Sequence, residues 1–216
     1  MNKKAFIFDL DGVLVHTDRF HYLAWKTVAG ALDIYFDEEI NNRLRGISRE
    51  ASLEIVLERY TGAPLSTAEK AALCERANTI CLRHLSAMTP EDVSEDVRET
   101  LRTLRARGYR LAVGSSSRNA KLVLGRTGLA EMFDAVSDGT NISRAKPDPE
   151  VFCKAAEFLG LAAADCAVVE DAAAGIDAAK AGGFTAIGIG DAARYGKTDH
   201  AIRALSDLLP LAPPLK

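Results

Sequence analysis

Two aspartates one residue apart, Asp9 and Asp11, follow the apolar run Ala5–Phe8 near the start of the chain. The run is short, β-prone and free of polar side chains, so we predict a buried strand there. If the backbone stays extended, both carboxylates point to the same side. A buried carboxylate without a partner is costly, whereas Mg²⁺ prefers carboxylate and phosphate oxygens. The pair therefore predicts a site for Mg²⁺ and phosphate, although two solvated aspartates in a turn are the ordinary alternative.

Polar side chains also follow three later segments of the chain. A second apolar run is followed by five polar residues, which are Ser115, Ser116, Ser117, Arg118 and Asn119. Lys146 precedes Pro147 in a loop, and Glu170 and Asp171 end a later apolar run. Each group alone has an ordinary explanation, because serines and acids are common at helix N-termini and lysines at surfaces. Together they supply a carboxylate nucleophile, a hydroxyl donor, a cation and metal ligands, which are the parts that phosphoryl transfer needs.

Segments typical of strands and helices alternate from about residue 90 onward. The predicted strands cover residues 110–114, 133–136, 166–169 and 185–189. Helices are predicted between them, and the first, over about 97–107, follows an N-cap and proline pattern at Thr89 and Pro90. This alternation predicts an α/β fold with a doubly wound parallel sheet. Because ligands bind at the carboxyl ends of the strands in such sheets, we expect the polar groups to meet there.

Residues 16–88 interrupt this alternation and show few strand-like segments. Apolar or ring-bearing side chains recur there at helical spacing, and they are His21, Ala24, Trp25, Val28 and Leu32. The sequence Ser-Thr-Ala-Glu at 66–69 is a capping box, which predicts a second long helix over about 67–85. We therefore predict an α/β core formed by residues 1–15 and 89–216, with an inserted helical cap formed by residues 16–88.

The composition is that of an ordinary globular protein and argues against several classes of partner. The 216 residues are 48% hydrophobic and 26% charged, with a formal net charge of −3. This charge offers no broad basic surface for nucleic acid. No apolar stretch is long enough for a membrane span, and the first apolar run is too short for a secretory signal. The four cysteines are Cys74, Cys81, Cys153 and Cys166, and they lie away from the acids at the predicted strand ends. We therefore predict buried, reduced thiols in a cytoplasmic protein rather than a zinc site.

The polar groups, taken in chain order, resemble the four motifs of the haloacid-dehalogenase-like superfamily over residues 3 to about 190. These motifs are Asp9-x-Asp11-Gly12, Ser115, Lys146-Pro147 and Glu170-Asp171. The resemblance implies a Rossmann-like core, a helical cap, Mg²⁺ and an aspartyl-phosphate intermediate. It makes Asp9 the nucleophile and Asp11 the general acid and base, with Ser115 and Lys146 holding the transferring phosphoryl group. The metal ligands that it implies are Asp9, the backbone carbonyl of Asp11, and Asp171, with Glu170 supporting them.

Two cap segments, at 21–26 and 45–50, resemble the phosphosugar mutases of this superfamily more than its simple phosphatases. The resemblance implies that Arg49 grips the phosphate that is not reacting and that His21 meets Asp11 when the cap closes. It implies a substrate site formed by His21, Trp25, Gly46, Ser48, Arg49, Ser115, Ser116, Ser117, Arg118, Asn119 and Lys146. Trp25 and His21 also have ordinary explanations as cap residues. We expect a monomer that converts β-glucose 1-phosphate to glucose 6-phosphate through the 1,6-bisphosphate.

Other functions share parts of this pattern. A sugar-phosphate phosphatase would need every core residue, and only the segment around Arg49, together with His21, argues against it. A phospho-accepting response regulator also uses strand-end aspartates, Mg²⁺, a hydroxyl and a lysine, but it has no inserted cap. A true dehalogenase fits poorly with Asp11 and the Glu170-Asp171 pair. The same resemblance predicts a cis peptide bond between Lys146 and Pro147.

Overall fold

The computed structural model describes residues 1–215, and its centre is a six-stranded parallel sheet. The strands are β1 (Ala5–Phe8), β2 (Arg110–Gly114), β3 (Ala135–Ser137), β4 (Cys166–Glu170), β5 (Thr185–Gly188) and β6 (His200–Ala201). Their order across the sheet is β3-β2-β1-β4-β5-β6, and every neighbouring pair is parallel. The order reverses at β1, so a crevice opens beyond the carboxyl ends of β1 and β4. The predicted Rossmann-like α/β sheet is confirmed.

Eight α-helices accompany the sheet within the described residues. They are α1 (Asp18–Gly30), α2 (Glu38–Asn42), α3 (Arg49–Leu57), α4 (Thr67–Ser86), α5 (Glu95–Ala106), α6 (Ala120–Arg126), α7 (Glu150–Leu159) and α8 (Ala173–Ala181). Short 3₁₀ helices lie at Pro90–Asp92, Ala130–Met132, Ala163–Asp165, Gly190–Arg194 and Leu205–Leu208. The capping box expected at the start of α4 is present, since the side chains of Ser66 and Glu69 each bond the other's backbone N–H.

The side chains of β1 alternate between two apolar layers. Phe6 and Phe8 face the layer that contains α5 and α6, whereas Ala5 and Ile7 face the layer that contains α7 and α8. All four residues are fully buried. A strand buried on both faces must be apolar throughout, which is why Ala5–Phe8 carries no polar residue before Asp9.

Four helices, α1 to α4, lie between β1 and α5, and the described residues of that segment contain no strand of the sheet. The helix α4 contacts α1 and α3, and it also contacts α6 beside the sheet. Cap residues such as Trp25 and Leu85 belong to the same apolar cluster as Leu101 of α5. The helices expected in this segment are therefore present, and the division of the chain at residues 16 and 88 stays a prediction.

Several boundaries differ from those expected from sequence. Thr89 and Pro90 begin only a 3₁₀ turn, because Ser94 caps α5 with its own hydroxyl and starts a new helix. The third strand lies at Ala135–Ser137 rather than 133–136, and the two-residue strand β6 was too short to predict. Cys153 is exposed, so the expectation of four buried thiols is wrong there. None of the helices in residues 1–215 has the length and apolar character needed to cross a membrane.

Phe152 of α7 joins the packing of the sheet to the polar edge above it. A Cβ atom at Gly114 would lie 2.6 Å from the Phe152 ring, so the last residue of β2 must be glycine for the ring to fit. The ring packs edge-on against Phe184, and the ammonium of Lys146 lies 4.7 Å from the ring centroid. The ring is fully buried, so the cavity left by its removal would open directly under Lys146.

We expect Phe152→Ala to lower the free energy of unfolding by about 3–5 kcal/mol, because it removes a fully buried ring at a site that cannot collapse. Phe158→Ala on the same helix is the matched control, since Phe158 is 49% exposed. That variant should change stability by no more than about 0.5 kcal/mol. Urea unfolding followed by circular dichroism measures both. A small effect at Phe152, equal to that at Phe158, would contradict this description of the core.

Candidate active site

The turn after β1 holds Asp9 and Asp11 at the carboxyl edge of the sheet. The backbone N–H of Asp9 donates to the Val169 carbonyl at 2.9 Å, which continues the β1–β4 ladder and fixes the start of the turn. The turn itself passes through Gly12, whose φ is +85°, a conformation that favours glycine. Asp9 is buried and Asp11 is partly buried, and Asp11 Oδ1 accepts a hydrogen bond from the hydroxyl of Thr17.

Lys146 reaches this edge from the loop before α7 and is fully buried there. Its ammonium donates to Asp9 Oδ1 and to Glu170 Oε1, both at 2.5 Å. Burial opposes the charged form of Lys146, but the two carboxylates outweigh burial and raise its pKa above the usual value. The Lys146–Pro147 peptide bond is cis, as predicted. One buried cation therefore ties the end of β1 to the end of β4.

Glu170 and Asp171 complete a cluster of buried carboxylates. Glu170 Oε2 accepts the backbone N–H groups of Asp171 and Ala172 at 2.9 and 3.0 Å. A Cβ at Gly175 would lie 1.9 Å from the Glu170 carboxyl group, so α8 needs glycine at that position to admit this side chain. Oxygen atoms of Asp9, Glu170 and Asp171 lie within 4.8 Å of one another. Three of the four residues predicted to form the metal site thus lie together, while the part of Asp11 in that site stays a prediction.

The electrostatics of this cluster fit a divalent cation. Burial raises the pKa of Asp9 well above its ordinary value, and the neighbouring acids Glu170 and Asp171 raise it further, while Lys146 lowers it. Burial and Glu170 likewise raise the pKa of Asp171 to about 7, although Arg45 opposes this. Lys146 offsets only part of the charge of three carboxylates. A cluster of buried oxygen donors with uncompensated negative charge is what a hard divalent cation stabilises.

The loop after β2 lines the same cavity as Asp9, and hydrogen bonds within the loop fix its shape. The Ser115 hydroxyl accepts the backbone N–H of Ser117, and the Ser117 hydroxyl accepts that of Asn119, both at 3.1 Å. Ser116 donates to the carbonyl of Gly46 in the loop before α3, at 3.2 Å. Arg118 donates to the carbonyl of Gly139 at 3.2 Å. The loop is therefore braced against both the sheet and the cap.

A cavity of about 360 Å³ lies between this edge and the cap helices. Most of the predicted site residues line it, and they are Asp9, Asp11, His21, Trp25, Gly46, Ser48, Arg49, Ser115, Ser116, Ser117, Arg118, Asn119 and Asp171. Lys146 and Glu170 do not line the cavity but lie directly behind Asp9. Trp25 is only 4% exposed and also belongs to the apolar cluster, so its two explanations from sequence are compatible.

Several residues at this site were not among those predicted, and they include Arg45, Thr17, Asn78 and Cys81. Arg45 bonds Asp171 and also contacts Asp191 and Asp18, at 2.9 and 3.4 Å. Thr17, Asn78 and Cys81 contact predicted residues, and they bond Asp11, Arg49 and His21 respectively. Arg45 lies in the cap segment already singled out, which was an available signal. The contacts of Asn78 and Cys81 depend on how α4 packs, and no local pattern indicates that.

His21 of α1 faces the thiol of Cys81, with Sγ 3.7 Å from Nδ1. Burial lowers the pKa of His21, but the contact with Cys81 and the carboxylates of Asp11 and Asp18 outweigh burial and raise it to about 9. The imidazole is therefore cationic at neutral pH, where it adds positive charge to the cap wall of a cavity whose core wall is acidic. The meeting of His21 with Asp11 on closure of the cap stays a prediction, since the partner of His21 in this structure is Cys81.

The raised pKa of His21 predicts a pH dependence of stability. A histidine whose pKa rises from 6.5 to about 9 on folding stabilises the protein fully below pH 6.5. That contribution is lost as the pH rises to about 9. We expect the stability difference between the wild type and His21→Gln to shrink by at most about 3 kcal/mol over this range. Cys81→Ala should flatten the same pH profile of the wild type, and identical profiles for all three proteins would contradict the assignment.

Comparisons with known proteins agree with the family that the site residues resemble. A model of the haloacid dehalogenase-like hydrolase family matches residues 3–183. The β-phosphoglucomutase of Bacillus subtilis (strain 168) is 42% identical over 207 residues, which cover 95% of this chain and 91% of that protein. A phosphorylated carbohydrates phosphatase of Thermotoga maritima is 28% identical over 186 residues, which cover 85% of this chain and 83% of that protein.

A solved structure shows the same fold over almost the whole chain. The crystal structure of β-phosphoglucomutase from Clostridium difficile superimposes with a TM-score of 0.89 at 31% identity, and the match covers 96% of this chain and 93% of that one. One family accounts for the strand order, for the acids at the strand ends and for the similarity to these proteins. The chain belongs to the haloacid dehalogenase-like hydrolase family.

Proposed function

We propose that this protein is an intramolecular phosphotransferase that interconverts β-D-glucose 1-phosphate and glucose 6-phosphate through the 1,6-bisphosphate. The observation that carries the proposal is the composition of the cavity. The strand-end segments contribute Asp9, Asp11 and Ser115 to its lining, and helix α3 contributes Arg49. A substrate with two phosphates needs an anion site at each end. The 42% identity to a β-phosphoglucomutase supports this substrate class.

Asp9 is the proposed nucleophile, and its surroundings prepare it for attack on phosphorus. Lys146 holds Asp9 Oδ1 at 2.5 Å, which fixes the carboxylate and leaves Oδ2 for the bond to phosphorus. A carboxylate nucleophile divides the interconversion into two easier transfers. A phosphorylated Asp9 donates its phosphoryl group to the 6-hydroxyl of glucose 1-phosphate, and the 1-phosphate of the resulting bisphosphate then passes to Asp9 and releases glucose 6-phosphate. The Ser115 hydroxyl and the positive charge of Lys146 reduce the repulsion between this carboxylate and a phosphate dianion.

Asp11 is the proposed general acid and base. It lies two residues beyond Asp9, and the Thr17 hydroxyl bonds its Oδ1, so its second oxygen remains available to the reacting hydroxyl. That oxygen would protonate the leaving sugar oxygen and later deprotonate the incoming one. Thr17 is fully buried at the start of α1, so the orientation of Asp11 depends on the first residues of the cap.

Mg²⁺ is the proposed cofactor, held by carboxylates of Asp9 and Asp171 with the backbone carbonyl of Asp11, while Glu170 supports the cluster. Their hard oxygen donors and net negative charge match the preferences of this ion. When bound, the ion neutralises charge on the transferring phosphoryl group. Gly12 is required beside it, because a Cβ there would overlap the Asp171 carboxylate.

We further propose that the protein acts as a monomer in the cytoplasm, with its cap formed by residues 16–88. The cavity is lined from both walls by residues of one chain, so the site needs no residue from a second subunit. All four cysteines are free thiols, which suits a reducing compartment. Sedimentation equilibrium at assay concentrations tests the monomer, since a dimer mass would contradict it.

A sugar-phosphate phosphatase remains the second candidate, and the 28% identity to a phosphorylated carbohydrates phosphatase favours it. Both activities use the same core, since both form a phosphoenzyme on the nucleophilic aspartate. They differ in what receives the phosphoryl group, which is water in a phosphatase and a sugar hydroxyl in a mutase. A coupled assay for glucose 6-phosphate, primed with a trace of the bisphosphate and run beside a free-phosphate assay, separates the two.

We expect Asp9→Asn to reduce mutase turnover on the order of 10³-fold or more, because an amide is a poor nucleophile. Intact-mass spectrometry should show no phosphoenzyme. The matched control is Asp33→Asn, an exposed cap aspartate that does not line the cavity. Chelation with EDTA should abolish turnover in the wild type, and added Mg²⁺ should restore it. Turnover of Asp9→Asn within tenfold of the wild type would exclude Asp9 as the nucleophile.

We expect Arg49→Ala to lower mutase turnover more than hydrolysis of the phosphoenzyme by water. Water needs no grip on a second phosphate, whereas a bisphosphate does, and loss of a charged hydrogen bond weakens binding by about 10–100-fold. Arg43→Ala is the matched control, since Arg43 pairs with exposed Glu58 on the outside of the cap. An equal loss of both activities would argue that Arg49 is structural and would favour the phosphatase.

A further inference from the structure

One side chain, Asn78 of α4, joins the cap to the core at the wall of the cavity. Its Oδ1 atom accepts a hydrogen bond from Arg49 Nη2 at 2.7 Å and another from Asn119 Nδ2 at 3.1 Å. Arg49 begins helix α3 in the cap, and Asn119 precedes helix α6 beside the sheet. Asn78 is partly buried and lines the cavity together with both of its partners. A single carbonyl oxygen therefore links two side chains that line the cavity.

Asn119 makes this contact in place of a helix-capping hydrogen bond. It occupies the N-cap position of α6, where an asparagine side chain ordinarily accepts a backbone N–H of the first turn. Here its side chain makes no capping bond and instead donates to Asn78. A missing cap costs a helix about 1 kcal/mol. The orientation of Asn119 toward α4 is therefore not explained by the stability of α6.

The chemistry of the acceptor matters as much as its position. A carboxylate beside Arg49 would offset the guanidinium charge that a phosphate needs, whereas the neutral amide of Asn78 fixes the guanidinium and leaves its charge available. Glu75, one turn earlier on α4, also contacts Arg49, at 3.3 Å, but its side chain is 69% exposed. Solvent therefore screens the charge of Glu75 more strongly than it would screen the charge of a buried carboxylate.

We infer that Asn78 is a positioning residue for the phosphate that is not reacting. Its carbonyl oxygen holds Arg49 and Asn119 with their remaining N–H donors toward the cavity, and it does so only while α4 lies against the loop before α6. The inference rests on the proposed mutase function, because in that cycle a sugar phosphate binds with its own phosphate at this end of the cavity while its free hydroxyl faces Asp9. Asn78 acts through its two partners and does not itself enter the reaction.

The experiment compares Asn78→Ala with Thr79→Ala, an exposed neighbour on the same helix that does not line the cavity. We expect Asn78→Ala to raise the KM for β-glucose 1-phosphate about tenfold and to change kcat less than threefold, because the loss is one hydrogen bond to a charged group. Calorimetry should show an equal loss of affinity for glucose 6-phosphate. Hydrolysis of p-nitrophenyl phosphate, whose only phosphate must react at Asp9, should stay within twofold, and Thr79→Ala should match the wild type throughout.

A double-mutant cycle separates positioning from a general effect on folding. In an Arg49→Ala background, Asn78→Ala should weaken glucose 6-phosphate binding by less than twofold further, because its main partner is already gone. Full additivity of the two losses, or an unchanged KM in an Asn78→Ala protein that melts like the wild type, would overturn the inference alone. A wild type that releases phosphate but forms no glucose 6-phosphate would overturn the proposed mutase, while the calorimetric cycle would still decide the role of Asn78.

Discussion

The buried ion network of Lys146, Asp9 and Glu170 is the interaction on which the rest of this site depends. The strands β1 and β4 are neighbours, so the two acids end side by side, and the ammonium between them bonds both at 2.5 Å. Removing one partner of such a network leaves a buried charge uncompensated, which costs about 3–5 kcal/mol. The same three groups therefore hold the edge of the sheet together and set the position of the nucleophile. A substitution at any one of the three therefore alters both.

The cap is joined to the core by polar contacts in addition to its apolar packing. Ser116 donates to Gly46, Arg45 bonds Asp171, and Asn78 bonds Asn119. Each contact pairs a cap residue with a residue of the strand-end loops. Polar contacts can exchange with water at small net cost, whereas apolar burial is lost on exposure. This makes the cavity wall the part of the interface best suited to open for a substrate.

The core of the site could be predicted from sequence because each group follows a buried strand. An apolar run fixes the strand, the parallel order brings the strand ends together, and the polar residues after Phe8 and Val169 must then meet. The contacts of Asn78 and Cys81 could not be predicted, since they arise from packing of helices distant in sequence. The strand β6 has two residues and no apolar run to mark it. Sequence therefore predicts contacts between residues that follow neighbouring strands, because the backbone of the sheet brings them together. It does not predict contacts that depend on how distant helices pack.

The choice between mutase and phosphatase depends on charge in the cap rather than on the core. Every core group serves any phosphoryl acceptor, so none of them can prefer a sugar hydroxyl to water. A preference arises only if the phosphorylated sugar stays bound while it turns around, which needs cationic groups away from Asp9. The cap supplies Arg49 and a His21 whose pKa of about 9 keeps it charged, while the core wall is acidic. We therefore expect cationic groups of the cap, rather than any core group, to favour a sugar hydroxyl over water as the acceptor.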